Sequence, residues 1–495
     1  MRLSFYRMSV LASIFSMLLI LTACMVGPDY KKPDTQSSPI FKEIQGWKQA
    51  QPNDLEPKGN WWEAYHDPVL NQLMEQVNIN NQNIVVAEAQ YRQALALIRS
   101  SQAPLFPSLN ASAGQQTGTS INNSSINTVY SAGLGASWVP DFWGAIRRNV
   151  ESYQTNAESS AALLESASLS AKSTLAQTYF QLRIADMQQR MYNDTIVAYK
   201  KSLEITQNQF SAGIASMLDV SQAQTTLRST EALAIDVGVT RAQLEHAIAV
   251  LIGQAPANFH LVAEVIGTDP QTGLLVSPAS QLLSNLPNVP VGIPAELLER
   301  RPDIASAERL MAAANARIGV AKAAFFPTIS ISATGGYQSN VLPGLLNAPN
   351  QVWSLGPGIS LPLFDGGARS ANLTQARAAY DQSVATYRQT VLLAFQNVED
   401  NLVALRLLEN ETALQEQAVI AARNATRIAL NQYKAGIVNY LTVVTTQVTQ
   451  LNNERTYMTL LNRRLSAHVA LIAALGGGWN FYTDSKIQQI EPLKK

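Results

Sequence analysis

The 495-residue sequence predicts a mainly α-helical chain with a smaller β-barrel part, built from two repeats. Three observations carry this prediction. A segment at 208–214 recurs at 431–437, and two stretches, 145–212 and 368–435, contain neither glycine nor proline over 68 residues each. Ahead of each stretch the apolar period changes from about 3.6, typical of helices, to 2, typical of strands. Because each half must bury its apolar faces, we expect the two halves to pack against each other.

The repeat is visible in two separate sets of positions. Asn208-Gln209-Phe210-Ser211-Ala212-Gly213-Ile214 returns 223 residues later as Asn431-Gln432-Tyr433-Lys434-Ala435-Gly436-Ile437. A second set, which includes Ile84, Glu88 and Phe106, returns 220 residues later as Ile304, Glu308 and Phe326. The two offsets are nearly equal, so about half of the chain duplicates the other half.

Each glycine-free stretch predicts a helix of about 100 Å at 1.5 Å per residue. Each ends at a glycine and is followed by a 39-residue partner that also ends before a glycine; these glycines are Gly213, Gly253, Gly436 and Gly476. Apolar residues of the second partner recur mostly at steps of four and three, at Ile437, Leu441, Val444, Val448, Leu451, Met458, Leu461, Leu465, Val469 and Ile472. This spacing predicts a coiled-coil seam. We therefore predict two long antiparallel helical hairpins with tips at Gly213 and Gly436.

Four segments alternate apolar residues with serine, threonine and glycine, near 109–113, 130–138, 329–337 and 353–363. One apolar and one polar face is the pattern of membrane-spanning strands, although a soluble hairpin covering a core is an alternative. The polar stretches 115–125 and 338–351 read as long exterior loops and favour the membrane. Four strands cannot close a barrel with a lumen, and open sheet edges in lipid leave backbone groups unpaired. The sequence therefore predicts an oligomer that completes the barrel.

The N-terminus predicts a lipoprotein signal peptide over residues 1–23. Arg2 and Arg7 precede an apolar run that is too short to span a bilayer, and the run ends in Leu21-Thr22-Ala23-Cys24. Cys24 is the sole cysteine, so no disulfide framework is available. We expect Cys24 to become the first mature residue and to carry lipid chains that anchor it to the membrane. An ordinary secretory peptide with an incidental cysteine is the alternative.

Composition and histidine placement argue against several classes of function. Lys plus Arg and Asp plus Glu both number 36, which gives no net charge and argues against a nucleic-acid partner. Four scattered histidines form no metal-binding pair, and the glycine clusters lack the context of phosphate loops. We therefore predict no catalytic, cofactor-binding or metal-binding residues and no enzyme.

Several motifs together resemble the outer membrane factor family, the TolC-like channels, and in particular its lipoprotein branch that serves resistance-nodulation-division efflux pumps. The motifs are Leu21-Thr22-Ala23-Cys24, Val26-Gly27-Pro28-Asp29-Tyr30, Phe142-Trp143-Gly144, Arg300-Arg301-Pro302-Asp303-Ile304, Phe364-Asp365-Gly366-Gly367 and the paired Ala-Gly-Ile tips. The resemblance implies a homotrimer with a twelve-strand barrel in the outer membrane, a twelve-helix tunnel in the periplasm, and palmitate on Cys24. It implies a periplasmic adaptor and an inner-membrane resistance-nodulation-division transporter as partners.

The resemblance and the repeat together suggest a division of the chain. The segments are a signal peptide (1–23), an anchor and equatorial segment (24–68), repeat 1 (69–253), an equatorial linker (254–294), repeat 2 (295–476) and an equatorial tail (477–495). Each repeat is expected to contain a helix, two strands and a long helical hairpin.

The resemblance also implies a gate just past the second tip, at Leu441, Thr442 and Thr445, with Asp219 at the matching place in repeat 1. Many relatives carry charged residues there, whereas this chain has threonines, so we expect a mainly apolar ring of Leu441 that closes by dewetting. Alternatives are a seam role for Leu441 and a helix-start role for Asp219. The tips Ala212, Gly213, Ile214, Ala435, Gly436 and Ile437 are expected to dock the adaptor, although both glycines are needed for the turns in any case.

The expected function is a passive outer-membrane exit channel of a tripartite system for drugs or other small toxic compounds. An outer-membrane channel for type I polypeptide secretion is the alternative, because the same tube would serve it. A pore-free coiled-coil lipoprotein is disfavoured by the four strands, and a soluble hydrolase by the missing catalytic residues.

Overall fold

A computed structural model describes residues 25–32, 40–43, 60–120, 123–270, 272–282, 286 and 300–477 of the chain. The predicted signal peptide, Cys24 and the predicted tail from residue 478 onward lie outside the described residues. The chain divides into two compact units. Of the described residues, the first unit contains 25–32, most of 89–161 and 306–389, and the second contains 40–43, 60–88, most of 162–305 and 390–477.

The chain is mostly helical with a smaller amount of sheet, as the sequence predicts. The helices that carry the fold are α1 (Pro68–Asn80), α2 (Gln82–Gln102), α3 (Ala145–Ser211), α4 (Met217–Leu251), α5 (Pro278–Leu282), α6 (Pro302–Ala323), α7 (Ala368–Lys434) and α8 (Tyr440–Ala474). The strands are β1 (Ser108–Ser120), β2 (Asn123–Trp138), β3 (Gly267–Thr268), β4 (Leu275–Val276), β5 (Thr328–Ser339) and β6 (Gln351–Ser360). The order helix, two strands, two helices therefore occurs twice along the chain.

The two glycine-free stretches form the longest helices, α3 and α7, with 67 residues each. Their predicted last residues were 212 and 435, so each observed helix ends one residue earlier. A glycine in the left-handed conformation follows each end, with φ of +75° at Gly213 and +74° at Gly436. Glycine adopts this conformation without the steric penalty of a side chain, which explains why the helices stop there. None of the helices within the described residues has a stretch long and apolar enough to cross a bilayer.

An aspartate shortly before each long helix, four residues ahead of α3 and three ahead of α7, accepts hydrogen bonds from the first turn of that helix. Asp141 accepts from the backbone N–H groups of Ile146 and Arg147 at 3.0 and 2.8 Å. Asp365 accepts from the backbone N–H and the guanidinium of Arg369 at 3.1 and 2.6 Å. The hydrogen bond from the Arg369 side chain is the main cause that lowers the pKa of Asp365 below its ordinary value. A carboxylate at a helix N-terminus is favourable because it satisfies N–H groups that lack an intrahelical partner.

The first unit contains a four-stranded antiparallel sheet in the order β1-β2-β5-β6. Directly paired residues share a face, and the register places the aliphatic and aromatic side chains together on one face. That face carries Leu109, Ala111, Ala113, Tyr130, Ala132, Leu134, Ala136, Trp138, Ile329, Ile331, Ala333, Tyr337, Trp353, Leu355 and Ile359, whereas the other face carries mainly Ser, Thr, Asn and Gly. The predicted alternation of strand faces is confirmed.

One of the two predicted loops was wrong. Strands β1 and β2 continue through most of 115–125, with Gln115 opposite Tyr130 and Thr117 opposite Thr128. The hydroxyls of Thr117 and Thr128 lie 3.0 Å apart and form a cross-strand hydrogen bond. The polar composition that suggested a loop instead supports a two-stranded ribbon, because threonine fits a pleated surface. The second predicted loop is present and separates β5 from β6.

Residues just after Cys24 lie against helices of the first unit. The backbone N–H of Val26 donates to Trp143 at 3.1 Å, and the buried Arg148 side chain binds Asp29 at 2.7 Å. Gly27 meets Gly319 so closely that a side chain at either position would collide with the opposite segment. The Val26-Gly27-Pro28-Asp29-Tyr30 motif is therefore a packed segment that runs beside α3 and α6.

The second unit is held by an apolar cluster at the end of the hairpins far from the tips. Most of its members come from α1, α3, α4 and α8 and include Leu70, Met74, Leu175, Phe180, Met187, Ile248, Met458, Leu465 and Val469. The predicted seam of α8 is correct from Leu451 to Val469, because these positions are buried. Nearer the tip it was wrong: Leu441 and Val448 are exposed, and Tyr440, Val443 and Gln447 are buried in their place.

We expect two glycine substitutions with the same backbone conformation to differ in cost. Gly213→Ala introduces a side chain into open space at φ +75°, so the free energy of unfolding should fall by about 1–2 kcal/mol because of the backbone conformation alone. Gly253→Ala should lower the free energy of unfolding further, because its side chain not only requires φ +72° but also collides with the backbone of Asn80. The measurement is thermal unfolding followed by circular dichroism. Equal melting temperatures for the two variants would contradict the close packing of Gly253.

Candidate functional site

Both hairpin tips have the same backbone turn. The N–H of Ile214 donates to Gln209 and that of Ile437 to Gln432, at 2.8 and 2.9 Å. The N–H groups of Gly213 and Gly436 donate to the residues three positions earlier, which completes the Schellman motif at each tip. The turn satisfies the last helical carbonyls with backbone groups alone.

The side chains at the tips are small or apolar and face outward. Ile214 is 72% exposed and Ile437 is 71% exposed, and Ala212 and Ala435 are also exposed. No atom lies within 4 Å of the position that a side chain on Gly213 or Gly436 would occupy. The structure therefore brings the predicted tip residues into two exposed apolar turns within one unit.

The helices that follow the tips begin with different polar caps. Ser216 and Asp219 form a reciprocal capping box at the start of α4, with the Asp219 carboxylate accepting from the Ser216 N–H at 2.9 Å and from its hydroxyl at 2.8 Å. In the second hairpin Asn439 caps α8 and accepts from the Thr442 N–H and hydroxyl at 3.2 and 3.0 Å. Asp219 thus has the helix-start role, and a role for its charge in a gate stays a prediction.

Three of the predicted gate residues lie on the exposed side of α8. Leu441, Thr442 and Thr445 are all exposed, as is Val448 nearby, so Leu441 does not belong to the buried seam within this chain. The Thr445 hydroxyl donates to the Leu441 carbonyl at 2.8 Å, so its polar atom is engaged with its own helix. This arrangement directs the methyl group of Thr445 and the side chain of Leu441 outward beside each other. The surface presented by this turn of α8 is uncharged.

The opposite side of the same turn packs on the first hairpin. Tyr440 and Val443 form a buried cluster with Tyr433 and Ala223, and the rings of Tyr433 and Tyr440 meet edge to face at 5.3 Å between centroids. Burial is the main cause that raises the pKa of both tyrosines above its ordinary value. On α3, the Tyr199 hydroxyl donates to the Gln447 carbonyl at 3.0 Å, and the Ser202 and Tyr440 hydroxyls lie 3.3 Å apart. Sequence reasoning missed these contacts, although polar residues of α3 recur at the helical spacing 199, 202, 206 and 209.

Titratable groups elsewhere in the second unit form ion pairs rather than a reactive site. Arg183 and Arg241 both contact Asp186, at 3.3 and 2.6 Å, and both donate to backbone carbonyls of residues 261–262. This network holds the linker segment on α3 and α4. Within the described residues, no group of three or more His, Cys, Asp or Glu side chains is arranged to hold a metal ion.

Comparison with known proteins gives a consistent result. Residues 73–254 and 293–477 match the family described as outer membrane efflux protein. The chain is 30% identical over 488 residues to the probable efflux pump outer membrane protein TtgC of Pseudomonas putida, a match that covers 97% of this chain and 98% of TtgC. It is 28% identical over 466 residues to the cation efflux system protein CusC of Escherichia coli, which covers 94% of this chain and 98% of CusC.

Solved structures show the same relationship. The outer-membrane channel OprN matches with a TM-score of 0.81 at 30% identity, over 92% of this chain and 100% of that chain. The family match and the TtgC match each extend over most of the sequence, and the OprN match extends this likeness to the fold. The chain therefore belongs to the outer membrane efflux protein family, which makes it a protein of the outer membrane and not an enzyme.

Proposed function

We propose that this protein is the outer-membrane exit channel of a tripartite efflux system, in which a homotrimer passively conducts drugs or other small toxic compounds. An inner-membrane resistance-nodulation-division transporter would supply energy and a periplasmic adaptor would join the two. The observation that carries the proposal is the four-stranded sheet with one apolar and exposed face. Leu109, Leu134, Leu355 and Ile359 on that face are each more than half exposed. Lipid is the environment that such a surface fits.

The height of the apolar face is compatible with a membrane. Tyr130 and Trp138 lie on this face of β2 eight residues apart, about 26 Å along the strand. At the usual strand tilt of about 40° this gives about 20 Å across the membrane, near the apolar band of about 25 Å in outer-membrane barrels. The two aromatic residues would then mark the two interfaces.

The sheet edges support assembly. Among the described residues, β1 pairs only with β2 and β6 pairs only with β5. In lipid each unpaired backbone group costs several kcal/mol, so two open edges would cost tens. Three protomers would contribute twelve strands and close the barrel, with β1 of one copy beside β6 of the next. The number three follows from the resemblance to TolC-like channels and not from the edges themselves.

Cys24 is the proposed lipid attachment site, in keeping with the lipoprotein branch of the family. It lies outside the described residues, but the segment that follows it packs against α3 and α6 through Val26 and Asp29. This contact would hold the lipid near the first turn of α3, which follows the strand β2. Residues 1–23 would be removed as the signal peptide.

The exposed turn of α8 is the proposed periplasmic gate. Leu441 would form an apolar ring in the trimer, with Thr442 and Thr445 beside it and Asp219 as the remaining negative charge. Because this turn carries no ionisable side chain at 441–449, closure would depend on dewetting rather than on ion pairs.

The tips are the proposed docking site for the adaptor. Ile214 and Ile437 are exposed apolar side chains next to small residues, which suits end-to-end packing with another helical hairpin.

TtgC is named for an efflux pump and CusC for cation efflux, and neither name refers to secretion. These names support efflux as the function and give no support to polypeptide secretion.

The function is tested in cells from which this gene is deleted. We expect the deletion to increase sensitivity to several dyes, detergents and antibiotics, or to metals, and a plasmid copy to restore resistance. Chemical crosslinking of the purified protein should give a trimer that conducts ions in planar bilayers. A single-copy, non-conducting protein and an unchanged sensitivity profile would refute the proposal.

The gate is tested with Leu441→Ser and its repeat counterpart Leu218→Ser. A hydroxyl in the ring should favour wetting, so Leu441→Ser should increase uptake of a large antibiotic severalfold in cells without the pump. Leu218 is exposed like Leu441 but is not part of the proposed Leu441 ring, so Leu218→Ser should leave uptake unchanged. Equal uptake in the wild type and Leu441→Ser would remove Leu441 from the gate.

Docking at the tips is tested by photocrosslinking. A photoreactive amino acid in place of Ile214 or Ile437 should capture the adaptor, whereas one in place of the exposed Val197 on α3 should not. Capture from position 197 alone would place the adaptor on the helix side and contradict docking at the tips.

A further inference from the structure

The loop between β5 and β6, residues 340–350, is apolar although it lies at an exposed end of the sheet. We name it the apolar loop. Its side chains Val341, Leu342 and Leu346 are each more than half exposed, and it contains no ionisable residue. The connection between β1 and β2 at the same end of the sheet consists mainly of serine, threonine, asparagine and glutamine. Only the apolar loop therefore exposes a patch that water disfavours.

Several backbone groups of the apolar loop form hydrogen bonds within the loop. The N–H of Leu345 donates to the Leu342 carbonyl at 3.2 Å, and that of Asn347 donates to the Gly344 carbonyl at 3.0 Å. The side-chain amide of Asn350 also donates to the Gly344 carbonyl, at 2.9 Å. Gly344 has φ of +81°, which allows the chain to turn back on itself. These groups would keep their partners in an apolar solvent, where an unpaired backbone group is costly.

The apolar loop begins where the aromatic side chains of the sheet end. Ser339, just before the loop, pairs with Tyr130, and Gln351, just after it, pairs with Tyr337. Both tyrosines lie on the apolar face of the sheet, and Tyr130 marks the outer interface in the proposed orientation. The loop would then lie beside the outer leaflet, whereas the ribbon of β1 and β2 extends past it into water.

The apolar face of the sheet is shorter than the apolar band of an outer-membrane barrel. Its height between Trp138 and Tyr130 is about 20 Å at the usual strand tilt, against about 25 Å in such barrels. A hydrophobic part that is too short forces the bilayer to thin, at a cost that rises with the mismatch. Aliphatic side chains just beyond Tyr130 would add apolar surface at the outer end of this face.

We propose that the apolar loop inserts its aliphatic side chains between lipid acyl chains of the outer leaflet and so extends the membrane-contacting surface beyond Tyr130. This inference rests on the proposed channel function, because it requires the apolar face of the sheet to lie in the outer membrane. Val341, Leu342 and Leu346 make the contact. The partner is the acyl region rather than a lipid headgroup, because the loop offers no charge to a phosphate or to a bound cation.

A spin label on Leu346→Cys tests the position of the loop. Full-length trimers are placed in phospholipid vesicles, and the collision rates of the label are measured with oxygen, which concentrates in lipid, and with a water-soluble nickel chelate. We expect the ratio of oxygen to nickel collisions to be severalfold higher than on Thr119→Cys, an exposed position of the polar ribbon. It should approach the ratio on Leu134→Cys, which lies on the apolar face. Labelling of the wild type, whose sole cysteine is Cys24, gives the background.

The same labels separate failure of the loop from failure of the channel. A ratio at position 346 as low as that at 119, with position 134 in lipid, would overturn insertion of the loop alone. Strong spin–spin broadening between protomers, together with frequent nickel collisions, would place the loops over the pore mouth and would also overturn it. A low ratio at position 134 would refute the membrane position of the sheet, and with it the proposed channel.

A polar variant tests whether the loop supports the position of the sheet. Leu342→Asn combined with Leu346→Asn removes apolar surface beyond Tyr130, so nickel collisions of a label on Tyr130→Cys should rise severalfold. Asn340→Ser is the matched control, because it exchanges one polar side chain for another in the same loop and should leave these collisions unchanged. An unchanged rate in the double variant would contradict a contribution of the loop to the membrane surface.

Discussion

Backbone hydrogen bonding along two strand edges is the constraint on which the proposed assembly depends. Within the described residues, β1 and β6 each have a single strand partner, and the face between them is apolar and exposed. Lipid on that face could not replace the missing partners, so in the proposed assembly the edges meet strands of other protomers. The proposal thus links membrane insertion to assembly, because insertion with open edges would leave backbone groups unpaired.

The duplication reuses one backbone turn with different polar chemistry. Both tips have a glycine at positive φ and the same pair of backbone hydrogen bonds, so the turn depends on glycine alone. The helix caps that follow the tips differ, since Ser216 pairs with the Asp219 carboxylate in the first repeat and Asn439 pairs with Thr442 in the second. The first tip is therefore followed by a negative charge and the second by neutral groups. Divergence between the repeats has altered charge and preserved backbone geometry.

Much of the fold could be predicted from the sequence because its main signals are local. The absence of glycine and proline predicted α3 and α7 to within one residue, and alternation predicted which strand residues share a face. The failures involve polar side chains with distant partners. Apolar spacing favoured Leu441 and Val448 for the seam, but Tyr440 and Gln447 are buried there, where the Ser202 hydroxyl meets that of Tyr440 and the Tyr199 hydroxyl donates to the Gln447 backbone carbonyl. A pattern of apolar residues cannot detect a seam made of polar ones.

The residues of the candidate site were likewise predicted only where the signal in the sequence is local. The sequence identified the exposed tips, because the glycine and the adjacent isoleucine are repeated. It did not identify Tyr199 or Ser202, whose partners lie more than 200 positions away along the chain. Only the folded arrangement of both hairpins pairs them. Their spacing along one helical face was visible, but spacing gives no information about a partner.

The two-stranded ribbon of β1 and β2 extends beyond Tyr130, the last residue at which β2 also pairs with β5. Tyr130 pairs with both Gln115 and Ser339, and past it β1 and β2 pair only with each other. In the proposed orientation this neutral extension rises above the outer leaflet, where antibodies and bacteriophages first meet the cell. Because it would then add nothing to the wall of the proposed pore, it could change its antigenic surface without altering conduction.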